Sequence, residues 1–214
     1  VLMDMHHIIG DAATASMMID RLNRLYMGGS LSKGNINYID YAYWRVKNSE
    51  SIENGQLEYW RDQMKDAPVL PDYPTDRMRT PQFDYRGGQC VLRIGKSESS
   101  QIKEFAQKHD LTANMIFAGA FGVFLSKLSG SDELFIGTPV SNRSDESLND
   151  VLGLFVNTLP LRLKPCGDMT FAEYLEKTKE SVIGLLDNPD IPLEKLVELA
   201  KEGGHDGKLY NAIM

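Results

Sequence analysis

Four prolines, Pro68, Pro71, Pro74 and Pro81, fall between Ala67 and Gln82, and none of them can sit inside a helix. Each fixes φ and removes a backbone donor, and the residue before each is pushed toward extended geometry. This stretch therefore reads as an extended crossing segment. It predicts a boundary between two structural halves, one over 1–86 and one over 87–214. Ahead of it, Met18, Ile19, Leu22 and Leu25 give Ala15 to Tyr26 helical spacing, with Asp11 and Thr14 able to cap and Gly28-Gly29 able to end the helix. Two further helices are predicted over 36–48 and 51–66. Tyr38, Tyr41, Trp44, Tyr59 and Trp60 supply their bulk and read as core rather than as ligand platforms, because aromatics bury large areas.

Beyond the prolines, Gly88 to Ile94 is a candidate strand and Glu98 to His109 an amphipathic helix. Thr112 to Leu128 is a more apolar helix, with Met115, Phe117, Phe121, Phe124 and Leu125 as expected core. Strands are predicted at Leu134 to Val140 and Leu152 to Leu163, then helices near 170–186 and 192–201, the second ended by Gly203-Gly204. Val1 to Ile9 reads as a short strand, and Tyr210 to Met214 as an interrupted one, so both ends look cut from something longer. Strands interleaved with helices give an α/β or α+β class.

The net charge of -7 argues against nucleic acid, whose phosphates need a basic surface. A chain that is 42% hydrophobic and 25% charged has enough apolar surface to fold. No apolar run approaches the roughly 18 residues needed to span a bilayer, so no membrane partner is expected. No signal peptide precedes the histidines, and the expected localisation is cytoplasmic. Cys90 and Cys166 stand far apart without metal-site spacing, which suggests a reducing compartment and neither a zinc site nor a disulfide framework. Asn142-Arg143-Ser144 fits a glycosylation sequon and is read as chance.

The residues best suited to chemistry are His6 and His7. On a strand their side chains point to opposite faces, so they cannot share a metal, and one would face a cavity while the other packs. An imidazole titrates near neutral pH and can move or orient a proton, and Asp11 lies just beyond Gly10. On spacing alone the better reading is a packed histidine and an aspartate acting as a helix N-cap. Ile136 to Arg143 sets a fixed backbone path after a strand; Arg143 could grip a carboxylate, although a surface arginine on a turn is the better reading without more context. The segment lacks phosphate-loop spacing, no nucleophile elbow occurs, and His109 and His205 read as solvent-facing.

Taken together these segments resemble the condensation domains of nonribosomal peptide synthetases. Val1 to Asp11 is similar to that family's His-His-x-x-x-Asp-Gly motif, and Tyr38 to Trp44 to its next block. Ile136 to Arg143, Phe155 to Arg162 and Asp190 to Val197 resemble later blocks in the family's order. The chain departs from the pattern at Ala12, where glycine is usual, and at Gly10, where a larger residue is common; Asn188 and Leu193 are further departures. Ala13 to Ser16 lacks the Ser-Trp of epimerising relatives, and the histidines exclude the heterocyclising ones.

The resemblance implies a fold like chloramphenicol acetyltransferase, with two α/β sandwich lobes, incomplete in this chain. It implies 1–86 as the C-terminal remnant of an N-terminal lobe, with the histidine motif, and 87–214 as the first part of a C-terminal lobe. The implied reaction is amide formation in antibiotic biosynthesis: an acceptor aminoacyl thioester attacks a donor acyl or peptidyl thioester. Donor and acceptor peptidyl carrier domains would present both on phosphopantetheine arms, beside an adenylation domain. The domain itself would bind no cofactor and no metal. His7 is the implied catalytic residue, with His6, Asp11 and Arg143 supporting and Gly10, Ala12 and Asn157 as candidates for the substrate tunnel. The isolated chain is expected to be inactive. Two alternatives stay open: an acyltransferase using a small-molecule acceptor, and a non-catalytic carrier-docking module.

Overall fold

A computed structural model describes residues 2–32, 34, 36–77, 86–165, 167–204 and 207–214. Val1, Pro81, Gln82, Cys166 and His205, named above, lie outside the described residues. The first helix, α1 (Ala12–Tyr26), starts where the Asp11 carboxylate accepts the Thr14 N–H at 2.9 Å. The second, α2 (Tyr38–Met64), has a full capping box, with the Asn37 and Asp40 side chains each accepting the other end's backbone N–H. Helices α3 (Lys96–Lys108) and α4 (Ala113–Ser129) follow. Thr112 caps α4, and Gly130 closes it at φ 71, a left-handed conformation that glycine adopts without cost. Strands β1 (Leu134–Ser141) and β2 (Val156–Leu163) pair as a two-stranded sheet. Last come α5 (Phe171–Asp187) and α6 (Leu193–Glu202).

The chain forms two compact units, each built from interleaved segments. The first comprises Val1–Lys65, Thr138–Leu159 and Leu186–Gly207. In it α6 packs on α2, and Trp60, Met64, Phe155, Ile191 and Leu196 are buried. The 188–191 segment is held by side chains: Trp60 Nε1 donates to the Asn188 carbonyl at 2.9 Å, Arg45 donates to that of Asp190, and Gln56 Oε1 accepts the Asp190 N–H at 2.9 Å.

The second unit comprises Asp66–Gly137, Pro160–Leu185 and Lys208–Met214. Its core is Leu134, Phe135 and Ile136 of β1, Leu161 and Leu163 of β2, Met115 and Leu125 of α4, and Leu175 and Leu185 of α5. Ile213 bridges Gly137 in parallel, and the Met214 N–H donates to the Gly137 carbonyl at 2.9 Å.

Within this unit Gly119 and Gly122 let α4 approach Tyr174 and Leu175 closely. A Cβ on residue 122 would lie 2.6 Å from Tyr174 Oη and 2.7 Å from Leu163 Cδ1. Alanine gains about 1 kcal/mol of helix propensity over glycine, but overpacking costs about 1–3 kcal/mol. With two collisions at once the steric cost wins. Gly122→Ala is expected to lower the urea midpoint with m unchanged; a raised midpoint would show that the helices separate freely.

Several expectations are corrected. No strand forms over residues 2–6, and a 3-10 turn spans His7–Ile9. The helices expected over 36–48 and 51–66 are one continuous helix, in which Asn48 Nδ2 and Ser49 Oγ donate to the carbonyls of Trp44 and Val46. The strand expected at 88–94 is absent, with Leu92 88% exposed. The second strand begins at Val156 rather than Leu152. Phe117 and Phe124 of α4 are exposed, as is Trp44 of α2, while Met115, Leu125 and Trp60 are buried as expected. His109 is half-buried, its ring 4.4 Å from that of Phe105. Among the described residues no single helix is long and apolar enough to cross a membrane.

Candidate active site

The His6-His7 segment forms a single tight turn rather than a strand. His6 Nδ1 accepts the Ile8 N–H at 3.2 Å, and the Ile9 and Gly10 N–H groups donate to the carbonyls of His6 and His7 at 3.1 and 3.3 Å. Both imidazoles are exposed, which corrects the expectation that one would be packed. The His6 ring caps its own turn; that of His7 stands in solvent. The next residue inward, Gly10, is buried against Met5 and Thr14.

Behind the turn lies a buried polar cluster, all of it within the first unit. Asp11 is 7% exposed, its Oδ1 accepting the Thr14 N–H at 2.9 Å and its Oδ2 the Phe155 N–H at 3.0 Å. Arg143 Nη2 lies 3.5 Å from Asp11 Oδ1, and the arginine side chain is also 7% exposed. The surface arginine read from the turn sequence is therefore a buried one. Its Nη1 donates to the Leu148 and Val151 carbonyls at 2.6 and 2.7 Å, and its guanidinium sits 4.0 Å over the Phe155 ring.

Thr14 joins the same cluster. Its Oγ1 donates to the Gly153 carbonyl at 2.7 Å and accepts the Gly153 N–H at 3.0 Å. Arg143 Nη2 approaches that hydroxyl at 3.4 Å. The 148–155 segment is further held by Arg21 Nη2 on the Asp150 carbonyl at 2.5 Å and by Tyr38 Oη on that of Leu154 at 2.8 Å. Tyr38 and Tyr41 pack on Phe155, with ring centroids 5.2 and 4.7 Å away.

Burial by itself would raise the Asp11 carboxyl. The N–H groups of Thr14 and Phe155 and the Arg143 charge outweigh it and hold the group below its ordinary value of 3.8. Asp11 is thus a fixed anion at neutral pH, and the pair is anchored on both sides by backbone bonds. Such a cluster fixes the geometry of the backbone around it.

The structure brings together Asp11 and Arg143, with Gly10 and the histidine turn directly before the aspartate. Ala12 is exposed in the first turn of α1. Asn157 is placed elsewhere, its Nδ2 donating to the Pro189 and Ile191 carbonyls at 3.0 and 2.9 Å. Asn142 of the sequon is buried, with Nδ2 on the Pro189 carbonyl at 3.2 Å, so its nitrogen is not presented to solvent. Among the described residues no group of three or more His, Cys, Asp or Glu side chains gathers as a metal site. By its sequence context Thr14 is only a capping candidate. Its bond to Gly153 joins residues 139 positions apart, and nothing local signals it.

Against this geometry, the model of the condensation-domain family matches residues 1–213. The chain belongs to the condensation-domain family. Surfactin synthase subunit 1 of Bacillus subtilis is 37% identical over 199 residues, which is 92% of this chain and 6% of the subunit. Tyrocidine synthase 2 of Brevibacillus parabrevis matches equally, at 37% over 199 residues with the same shares. The solved condensation domain of the Monacolin K polyketide synthase MokA superposes with a TM-score of 0.79 at 25% identity, over 96% of this chain and 48% of that one. The X-domain from teicoplanin biosynthesis, at 22% identity and a TM-score of 0.81 over 97% and 49%, shares the fold. The expected α/β class therefore stands, as part of a condensation-domain fold. This chain spans about half of those solved domains and a small fraction of the multidomain synthases.

Proposed function

We propose that this chain is part of a condensation domain that joins a donor acyl or peptidyl thioester to an acceptor aminoacyl thioester, each carried on a partner carrier domain. The acceptor nitrogen forms the new bond to the donor carbonyl carbon, the carbon–sulfur bond breaks, and the amine proton ends on the departing sulfur. His7 takes that proton or orients the amine. A thioester is already activated, so holding the two groups at attack distance supplies much of the acceleration. The observation that carries this reading is the buried Asp11–Arg143–Thr14 cluster, which anchors the residues directly after the exposed His7. The lobe assignment, with 1–86 ending one lobe and 87–214 opening another, belongs to the same proposal. So do partnership with a neighbouring adenylation domain and the inactivity of the isolated chain.

The test is to load two carriers with different aminoacyl groups, add the full-length protein and search for dipeptidyl thioester by mass spectrometry. Dipeptide on the acceptor carrier is the expected outcome. Transfer only to a soluble alcohol, or carrier binding without product, would replace this reading with an acyltransferase or a docking module.

A further inference from the structure

We infer that Thr14 is a positioning residue for His7, acting through a steric pairing with Gly10; this rests on the reading of His7 as the catalytic histidine. Gly10 has φ -176 and ψ 155, extended backbone that any residue adopts, so its conformation does not require glycine. Space does. A Cβ on residue 10 would lie 2.8 Å from Thr14 Cγ2 and 3.0 Å from Met5 Cε. The methionine end is flexible and can swing aside. The threonine methyl cannot.

The reason lies in β-branching. Oγ1 and Cγ2 share one Cβ, so fixing the hydroxyl fixes the methyl. The hydroxyl is held from both sides by the Gly153 carbonyl and N–H, at 2.7 and 3.0 Å. Rotating χ1 to free the methyl breaks both bonds and leaves a buried N–H and carbonyl exposed to the loss. The helix turn cannot shift either, because the Thr14 N–H is bound to Asp11 Oδ1. Residue 10 in turn closes the histidine turn through its N–H on the His7 carbonyl at 3.3 Å. A larger residue 10 must therefore move outward and carry the His7 turn with it. The chain of cause runs from Gly153 to the Thr14 hydroxyl, to the Thr14 methyl, to Gly10 and so to His7.

The experiment compares Gly10→Ala, Thr14→Ser, Thr14→Val and the Gly10→Ala/Thr14→Ser double variant. Condensation is assayed in the full-length protein, and amide exchange at residue 10 is followed by NMR in the 214-residue chain. Gly10→Ala is expected to lower kcat about tenfold or more with KM for the acceptor unchanged, as a displaced catalytic group does. Removing the methyl with Thr14→Ser is expected to restore most of that loss, a coupling that additive structural damage does not produce. Thr14→Val, which keeps a methyl but loses the hydroxyl, is expected to speed exchange at residue 10 and serves if Gly10→Ala does not fold. A double variant no better than Gly10→Ala, or exchange unaltered in Thr14→Val, would overturn the pairing. His7→Ala is run in parallel: full activity there defeats the reading of His7, while exchange at residue 10 still reports on the pairing alone.

Discussion

Replacing His7 with alanine is expected to lower amide formation by the full-length protein about 10²–10⁴-fold, the range over which a positioned acid–base group contributes. The melting temperature should stay unchanged, because the side chain is exposed and the turn around it is closed by the His6 ring and by backbone bonds. The two readouts separate a catalytic role from a structural one. The same change at His6 removes the Nδ1 acceptor of the Ile8 N–H and so is expected to loosen the turn as well as slow the reaction. Undiminished turnover of His7→Ala on carrier-bound substrates would remove His7 from the mechanism. It would leave the buried cluster as a purely architectural feature.

The largest effect on stability is expected at Asp11. Asp11→Ala leaves the Arg143 guanidinium buried without its anion and removes the acceptors of the Thr14 and Phe155 N–H groups. Breaking a buried pair by deleting one partner costs about 3–5 kcal/mol, and losing an N-cap about 1 kcal/mol. The two share one carboxylate and do not simply add, so the lower figure of about 3 kcal/mol is the safer expectation for chemical denaturation. Arg143→Ala should cost a comparable amount. The double variant should cost less than the sum of the two, since no charge is then left alone. Strict additivity would mean the pair is not formed in solution.

The pH dependence has a definite sign. Asp11 is held below its ordinary 3.8 when folded, so its contribution is fully present above that value. It is lost as pH falls through the lower folded value. The stability gap between the parent and Asp11→Ala should thus be constant near neutrality and shrink only in strong acid. Other lowered carboxyls, such as that of Glu133 beside Arg162 and Lys164, titrate in both proteins and cancel from the difference. A gap that widens on acidification would contradict the assignment.

The histidine motif, the order of the later blocks, the α/β class and most helices were legible in the residues themselves. The reason is that these signals are local: 3.6-residue periodicity in α1 and α3, and the cap at Asp11 that acts within three positions. The errors fall where the deciding partner is distant. The Val91-Leu92 segment has strand composition and no strand, because a strand exists only by pairing and its own residues cannot supply a partner. Residues 48–51 look like a break and are helix, because their propensities are weak preferences that a long helix overrides.

The candidate site divides the same way. His7 and Asp11 could be singled out by type and spacing alone, yet spacing favoured a packed histidine and a simple cap. The tertiary structure decided otherwise: it exposed both rings, buried Arg143 against Asp11, and locked Thr14 onto Gly153 from the far side of the sequence. What the sequence determined was which chemical groups the chain carries and the local turns that present them. What only the fold decided was which of those groups lose their water, because burial and long-range hydrogen bonds depend on neighbours that are distant along the chain.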